Sequence, residues 1–253
     1  MGRFHTHADG TVHTHADGTV QRNAGVGDHS GYQTGPLRVE VLKSILSEND
    51  RMAEANAADF ARSAVRVVNL MSSPGAGKTT LLAAVLGRIG EAHRVGVLEG
   101  DIETSLDADR LDGLGAQVAL VNTSAGFGGE CHLDATMVRS ALRCLDLEAL
   151  DLVIIENVGN LVCPAEFALG ETAKAMVYAV TEGEEKPRKY PVMFRAVELV
   201  VVNKIDLLEH LEFDLDLFLA NLDAVNPSVR TILASAKTGE GLDELCRWLL
   251  GPR

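Results

Sequence analysis

Apolar segments typical of β-strands alternate with helical segments along most of the chain. Several strand segments are apolar at consecutive positions, which is typical of strands that are buried on both faces. This alternation predicts an α/β fold, with a mostly parallel central sheet covered by helices on both faces. The predicted strands are Val65–Met71, Arg94–Glu99, Gln117–Asn122, Leu152–Glu156, Ala175–Thr181, Leu199–Asn203 and Val229–Ala234. The predicted helices are Lys78–Ile89, Thr104–Leu114, Asp134–Cys144, Phe213–Ala224 and Gly241–Leu249.

The chain divides into a short N-terminal tail and one domain. Within residues 1–35 the octapeptide His5–Val12 recurs unchanged as His13–Val20. This segment has almost no apolar side chains to bury, so it cannot offset the entropy lost on ordering and is predicted to be a flexible histidine-rich tail. Residues 36–253 are long enough to form a complete domain core.

The domain is predicted to begin with a helix. Apolar residues recur at helical spacing from Leu37 to Arg62, and Asn49 and Asp50 suggest a break within this helix.

The charge balance and the hydropathy exclude several classes of protein. Lys and Arg total 23 against 36 Asp and Glu, and the net charge of −13 argues against a basic nucleic-acid-binding face. No apolar run approaches the ~20 residues that span a bilayer, and the N-terminus lacks the apolar core of a signal peptide. Four cysteines are too few for a disulfide scaffold. We therefore expect a cytoplasmic protein without nucleic-acid or membrane partners.

A glycine-rich loop connects the first predicted strand to a leucine-rich helix. Residues Ser72–Thr80 fit the pattern G-x-x-x-x-G-K-S/T, except that Ser72 replaces the first glycine. Such a loop aims backbone N–H groups at phosphates, while Lys78 would bridge the β- and γ-phosphates and Thr79 would hold Mg²⁺. The alternative is a turn with a chance Gly-Lys-Thr, but the strand before and the helix after favour a P-loop NTPase. The predicted contacts are Ser73, Pro74, Gly75, Ala76, Gly77, Lys78, Thr79 and Thr80.

Two later loops carry residues suited to guanine. The Asp206 carboxylate can accept hydrogen bonds from guanine N1–H and the 2-amino group, and the mismatch with adenine can discriminate by about 10⁴. The stem of Lys204 can cover the base, Asn203 can tie its loop to the phosphate loop, and the Ala236 amide would meet guanine O6. GTP is therefore the predicted nucleotide. The predicted base contacts are Asn203, Lys204, Asp206, Ser235, Ala236 and Lys237.

Two acidic strand ends between these loops suit a Mg²⁺–nucleotide site. Asp101 follows the second predicted strand and can reach the Mg²⁺ shell, with a helix cap as its alternative role. Glu156 lies where many such proteins carry an aspartate, and Gly159 can offer its N–H to the γ-phosphate. No glutamine that would orient the attacking water is evident near Gly159, so we expect slow hydrolysis without a partner or dimer contact.

A thiol–imidazole pair and a second thiol form a candidate metal site. Cys131 and His132 lie in a glycine-rich stretch, and Cys163 comes four residues after Gly159. Two thiolates and an imidazole suit Zn²⁺ or Ni²⁺, and a two-fold partner could share the metal. Inert cysteines are the alternative. Cys144 and Cys246 are predicted to be core residues.

The tail contains a second set of candidate metal ligands. Its His-x-His pairs would bind Ni²⁺ through neutral imidazoles, so binding should fail as the pH falls through ~6.5. A remnant of cloning is the alternative origin of these histidines. The residues concerned are His5, His7, His13 and His15.

Together these motifs resemble the HypB family, the nickel-incorporation GTPases of hydrogenase maturation, over about residues 36–253. The resemblance implies a GTP-dependent homodimer that delivers nickel to the large-subunit precursor of nickel-iron hydrogenase, with a small nickel metallochaperone as partner. It also implies that Cys131, His132 and Cys163 form the metal site of the GTPase domain. The motifs that carry it are Ser72–Thr80, Glu130–His132, Glu156–Pro164, Lys189–Phe194 and Asn203–Asp206.

One departure and two alternatives accompany this resemblance. Some family members carry an N-terminal cysteine-rich nickel site, and this chain has no cysteine before Cys131. A urease-type nickel-delivery GTPase is the related alternative, against which the Cys-His order and the Asn-Leu-Val-Cys-Pro loop argue. The other alternative is a nickel-storage protein in which the tail matters most.

Overall fold

The computed structural model describes residues 12–14, 20–22, 36–100, 111, 113–121 and 132–252. Side chains are described from Leu46 onwards, apart from Glu91. The chain divides into two units, Met1–Ile45 and Leu46–Arg253.

Two short strands that the pattern does not predict lie in the first unit. Strand β1 (Val12–Thr14) pairs antiparallel with β2 (Val20–Arg22), and Thr14 is aligned with Val20. The flexibility of residues 1–35 stays a prediction.

Helix α1 (Pro36–Arg62) is continuous, so the predicted break near Asn49 and Asp50 is wrong. Asn49 is buried, and its carboxamide bonds to other segments rather than to its own backbone. Its Nδ2 donates to Ala168 O at 2.9 Å, and its Oδ1 accepts from Ala135 N at 2.9 Å. These tertiary hydrogen bonds override the weak helix propensity of asparagine.

In the part of the chain that the structure describes, the central sheet has seven strands, and every pairing is parallel. The strands are β3 (Arg66–Ser72), β4 (Val95–Glu99), β5 (Gln117–Leu120), β6 (Leu152–Gly159), β7 (Ala173–Ala179), β8 (Leu199–Asn203) and β9 (Arg230–Leu233). Across the sheet their order is β5-β4-β6-β3-β7-β8-β9. This arrangement confirms the predicted α/β class, and it brings the carboxyl ends of all seven strands to one edge.

Two strands differ from their predicted bounds in ways that affect this edge. Strand β6 continues three residues beyond Glu156, and after a bulge between Leu70 and Ser72 its last residue, Gly159, is aligned with Ser72. Strand β7 ends at Ala179, and a 3₁₀ turn over Val180–Glu182 follows it.

The helices enclose the sheet on both faces. The helices after α1 are α2 (Lys78–Ile89), α3 (Ala135–Ala141), α4 (Lys186–Lys189), α5 (Pro191–Arg195), α6 (Leu215–Val225) and α7 (Leu242–Leu250). Helices α2 and α7 pack on one face through residues such as Leu81 and Leu245, while α1 and α3 pack on the other through Phe60 and Val138. Helices α5 and α6 add Phe194 and Phe218.

The remaining helix predictions have mixed outcomes. The predicted helix Thr104–Leu114 lies largely outside the described residues. Helices α4 and α5 were not predicted, because they span only 4 and 5 residues and each has a proline in its first turn. Helix α3 gives way to a 3₁₀ turn at Leu142–Cys144, which leaves Cys144 exposed, so its assignment to the core is wrong. Cys246 is buried as predicted, and burial raises the pKa of its thiol.

Among the described residues, no helix has the length and hydropathy to cross a membrane.

Buried asparagines of α1 fix the first residue of α3 and the segment that precedes β7. Asn56 is fully buried, and its Nδ2 donates to Ala135 O at 2.9 Å and to Leu169 O at 3.0 Å. Its Oδ1 accepts from Arg139 Nη1 at 3.2 Å.

We expect Asn56→Ala to lower the free energy of unfolding by about 3 kcal/mol, because two buried carbonyls lose their donor. Urea unfolding followed by circular dichroism measures this. Glu54→Ala, an exposed change on the same helix, is the control and should stay within about 0.5 kcal/mol of the wild type. Equal losses of unfolding free energy in Asn56→Ala and Glu54→Ala would contradict the stabilising role of the Asn56 hydrogen bonds.

Candidate nucleotide and metal site

The phosphate loop leaves the carboxyl end of β3 and enters α2. Gly75 and Gly77 have φ angles of 72° and 92°, a left-handed conformation that favours glycine. A Cβ on Gly77 would also lie 2.9 Å from Asn203 Nδ2, so a larger residue does not fit there. Lys78 is buried, and its Nζ donates to Ser72 Oγ at 3.0 Å across the loop. Pro74, Gly75 and Thr80 are exposed along the loop, and Ala76 is buried.

Side chains whose oxygen atoms could bind a metal ion lie close together beside the first turn of α2. The Thr79 hydroxyl donates to Glu156 Oε1 at 2.8 Å, and the Glu156 side chain is fully buried. Glu99 ends β4 in register with Glu156 and is also buried. A hydroxyl and carboxylates are the hard oxygen ligands that Mg²⁺ prefers, so these residues fit a Mg²⁺–nucleotide site. Asp101 lies outside the described residues.

The loop after β8 is tied to the phosphate loop. Asn203 Nδ2 donates to Ala76 O at 3.0 Å, and Lys204 Nζ donates to Gly75 O at 2.7 Å. Lys204 has a φ of 63°, which is uncommon for a residue with a side chain and directs its stem back across the loop. The structure thus brings the predicted base and phosphate loops together.

The second base loop is tied to the first through one hydroxyl. Ser235 Oγ donates to Asp206 Oδ1 at 2.6 Å and accepts from the backbone N–H groups of Lys237 and Thr238 at 3.2 and 3.1 Å. Lys237 Nζ lies 3.9 Å from Asp206 Oδ2, and Ala236 is partly exposed between them. Ser235 therefore orients the carboxylate that is predicted to select guanine.

Two residues after β7 contact the phosphate loop although no motif identifies them. Glu182 accepts a hydrogen bond from the Ser73 hydroxyl, and Lys186 Nζ donates to Ser73 Oγ at 3.2 Å. Nothing in the sequence pattern distinguishes these side chains from ordinary charged residues of a turn.

The candidate metal ligands are described only in part. His132 stacks on Phe167, with 4.0 Å between ring centroids, and Phe167 comes four residues after the partly exposed Cys163. Cys131 lies outside the described residues. No three ligand-type side chains group as a metal site in the part of the chain that the structure describes. The three-residue site therefore stays a prediction.

The tail histidines also remain untested. His5, His7 and His15 lie outside the described residues. His13 lies within β1, where only the backbone is described.

Leu133, the residue after His132, is attached to the sheet at the edge where β4 and β6 end. Its backbone N–H donates to Asn157 Oδ1 at 3.1 Å, and its side chain fills the space over Gly100, where an added Cβ would lie 2.5 Å from Leu133 Cδ1. Gly100 N in turn donates to Glu156 O at 2.9 Å. The segment that carries His132 is thus fixed to the ends of β4 and β6.

Asn157 is the fully buried centre of this attachment. Its Nδ2 donates to Asn69 Oδ1 at 3.2 Å, and Asn69 Nδ2 donates to Glu171 Oε1 at 3.2 Å. Successive strand residues point to opposite faces, so Glu156 faces α2 while Asn157 faces α1 and α3. Strand β6 therefore contacts Thr79 on one face and Leu133 on the other.

Comparison with known proteins agrees with this arrangement. Residues 66–232 match the family model described as CobW/HypB/UreG, nucleotide-binding domain. The chain is 46% identical over 223 residues to the hydrogenase maturation factor HypB of Escherichia coli K12, covering 88% of this chain and 76% of that protein.

Two crystal structures of HypB proteins are similar to this structure. The Archaeoglobus fulgidus structure has a TM-score of 0.74 and 36% identity, covering 81% of this chain and 100% of that one. The Helicobacter pylori structure, solved in complex with nickel, has a TM-score of 0.75 and 34% identity, covering 80% and 94%. These matches confirm the resemblance seen in the sequence. The chain therefore belongs to the CobW/HypB/UreG family and, within it, to the HypB hydrogenase maturation factors.

Proposed function

We propose that this chain is a GTPase that delivers nickel to the large-subunit precursor of nickel-iron hydrogenase. The observation that carries the proposal is the attachment of the His132–Leu133 segment to the strand ends that hold the nucleotide residues. The name of the Escherichia coli relative and the nickel in the Helicobacter pylori structure support the cargo and the pathway.

Different residues would bind the phosphates of GTP, its guanine base and the Mg²⁺ ion. The loop amides and Lys78 would hold the phosphates, since the N-terminus of α2 favours anions. Asp206, oriented by Ser235, would accept from guanine N1–H and the 2-amino group. Thr79, Glu156 and Asp101 would hold Mg²⁺, which supplies charge neutralisation between the phosphate oxygens when it is bound.

Hydrolysis should be slow when the chain is alone. Gly159, aligned with Ser72 at the end of β6, would donate its N–H to the γ-phosphate, but among the described residues no side chain that orients the attacking water is evident near it. We therefore infer that a partner or a second copy completes the site.

We predict a single-turnover rate constant well below ~1 s⁻¹ for the chain with Mg²⁺ and GTP, because positioning of the water is incomplete. Rapid-quench measurement at several protein concentrations checks this, since dimer formation would accelerate the reaction as concentration rises. A rate constant above ~1 s⁻¹ at the lowest concentration would contradict the inference.

Nickel would bind at Cys131, His132 and Cys163. One chain offers three ligands there, so a homodimer that depends on nucleotide and metal could share the ion across its two-fold axis. Two thiolates and an imidazole also suit Zn²⁺, which is the alternative occupant. The tail histidines would be an accessory nickel site that releases its metal as the pH falls through ~6.5.

Nucleotide and nickel would be coupled through β6. A change at Glu156 on one face of the strand reaches Leu133 through Asn157 on the other, and Leu133 is the neighbour of His132. A nucleotide that favours one arrangement of the end of β6 would then alter the affinity for nickel, and nickel would alter the affinity for the nucleotide.

The chain would act in the cytoplasm with two further partners. A small nickel metallochaperone would exchange nickel with it, and the hydrogenase large-subunit precursor would receive the metal. Delivery to urease and nickel storage by the tail are the alternatives that the following experiment separates.

We predict that the chain restores hydrogenase activity, and not urease activity, in cells that lack their own nickel-delivery GTPases. Cys163→Ala should reduce the restored activity about tenfold or more if the thiolate is a nickel ligand. Cys144→Ala is the matched control, because Cys144 is exposed and lies outside the proposed site. Hydrogenase activity measured at low nickel checks both variants.

Removal of residues 1–35 separates delivery from storage in the same cells. Retained hydrogenase activity at ample nickel supports delivery by the GTPase domain. Loss of all activity, or restoration of urease alone, would contradict the proposal.

A further inference from the structure

The turn after β7 holds the phosphate loop through a closed ring of polar contacts. The Ser73 hydroxyl donates to Glu182 Oε2. Lys186 Nζ donates to Ser73 Oγ at 3.2 Å and to Glu182 Oε2 at 2.6 Å. One member of the ring belongs to the phosphate loop, Glu182 ends the turn, and Lys186 is the first residue of α4.

Glu182 is anchored to the sheet as well as to the loop. Its Oε1 accepts from Ala179 N at 2.9 Å, at the end of β7, and its side chain is only 10% exposed. The buried Tyr178 phenol donates to Gly183 O, and burial raises the pKa of Tyr178, so the phenol remains a donor. The turn is therefore held firmly, and it fixes the start of the phosphate loop.

The charges of this ring bear on nucleotide binding. A carboxylate beside a phosphate loop repels the anion that the loop binds, and this repulsion is larger for a triphosphate than for a diphosphate. Lys186 offsets the carboxylate, with its ammonium only 2.6 Å from Glu182 Oε2 and its side chain 25% exposed. Lys186 is a further cation beside the loop, in addition to Lys78, which is held across the loop by Ser72, and Lys204, whose Nζ donates to Gly75 O.

We propose that Glu182 and Lys186 form a charge-compensated clamp on the phosphate loop, in which Lys186 supplies the charge that favours the triphosphate. Both are positioning residues, because they act through Ser73 and through the local field. The inference concerns nucleotide binding alone, so it stands or falls independently of nickel delivery.

The clamp predicts opposite effects for its two members. Lys186→Met leaves the carboxylate uncompensated and should weaken binding of a non-hydrolysable GTP analogue about tenfold, with a smaller loss for GDP. Glu182→Gln removes the repulsion and should tighten binding of the analogue about threefold. The double variant should bind the analogue about threefold more weakly than the wild type, because the two opposite effects partly cancel.

Calorimetric titration of the full chain with each Mg²⁺–nucleotide measures these changes. Lys174→Met is the matched control: it breaks a partly buried contact of 3.5 Å with Glu171 at the start of the same strand. Its nucleotide affinities should equal those of the wild type.

Three results would overturn the clamp. They are an unchanged affinity in Lys186→Met, a loss of affinity in both single variants, and a double variant as weak as Lys186→Met. Circular dichroism checks that each variant folds. If Lys186→Met does not fold, the sign of the Glu182→Gln change decides, since tighter binding supports the clamp and weaker binding overturns it.

Discussion

Parallel pairing of seven strands is the constraint on which the site depends, because it places every strand's carboxyl end at one edge. The phosphate loop and both base loops begin at this edge, and strands β4 and β6 end there. Groups that are distant in sequence therefore become neighbours without a dedicated domain to hold them. This is the general location of ligand sites in open α/β sheets.

Polar side chains then convert this proximity into fixed geometry. Asn203 holds the phosphate loop at Ala76, Ser235 holds Asp206, and Glu182 holds Ser73. Each tie is largely buried, so its loss would leave a donor or acceptor without a partner. The candidate nucleotide site is thus preorganised through side chains that belong to different loops.

Buried polar side chains also fix segments on the opposite face of the sheet. Asn157 and Gly100 fix Leu133, and α1 fixes the following segment through Asn49 and Asn56. A metal ligand at His132 would therefore sit on a support whose position depends on β4 and β6. This dependence gives a physical basis for linking nucleotide state to nickel affinity.

The sequence was sufficient for the class of fold, because apolar runs report local constraints. Its short motifs also identified three loops that the structure brings together, and the nucleotide contacts of these loops stay predictions. The sequence pattern did not predict the bounds of elements that depend on tertiary contacts. Asn49 continues a helix because its carboxamide finds partners in other segments, and β6 continues past Glu156 because Asn157 is satisfied inside the protein.

Two further features had no usable local signal. Cys144 is exposed because α3 ends at Ala141, three residues earlier than the periodicity indicates. Glu182 ends a 3₁₀ turn and Lys186 begins the short helix α4, and the composition of this segment resembles that of any charged loop. The metal site still depends on Cys131, which the described residues do not include.

Nickel affinity in two nucleotide states is the most direct test of the central claim. The full chain would be titrated with Ni²⁺ against a competing chelator, once with Mg²⁺–GDP and once with Mg²⁺ and a non-hydrolysable GTP analogue. The account predicts affinities that differ by about fivefold or more in the wild type and in Cys144→Ala. It predicts no such difference in Cys163→Ala, where only the tail and other weak sites remain. Equal affinities in both nucleotide states of the wild type would contradict it.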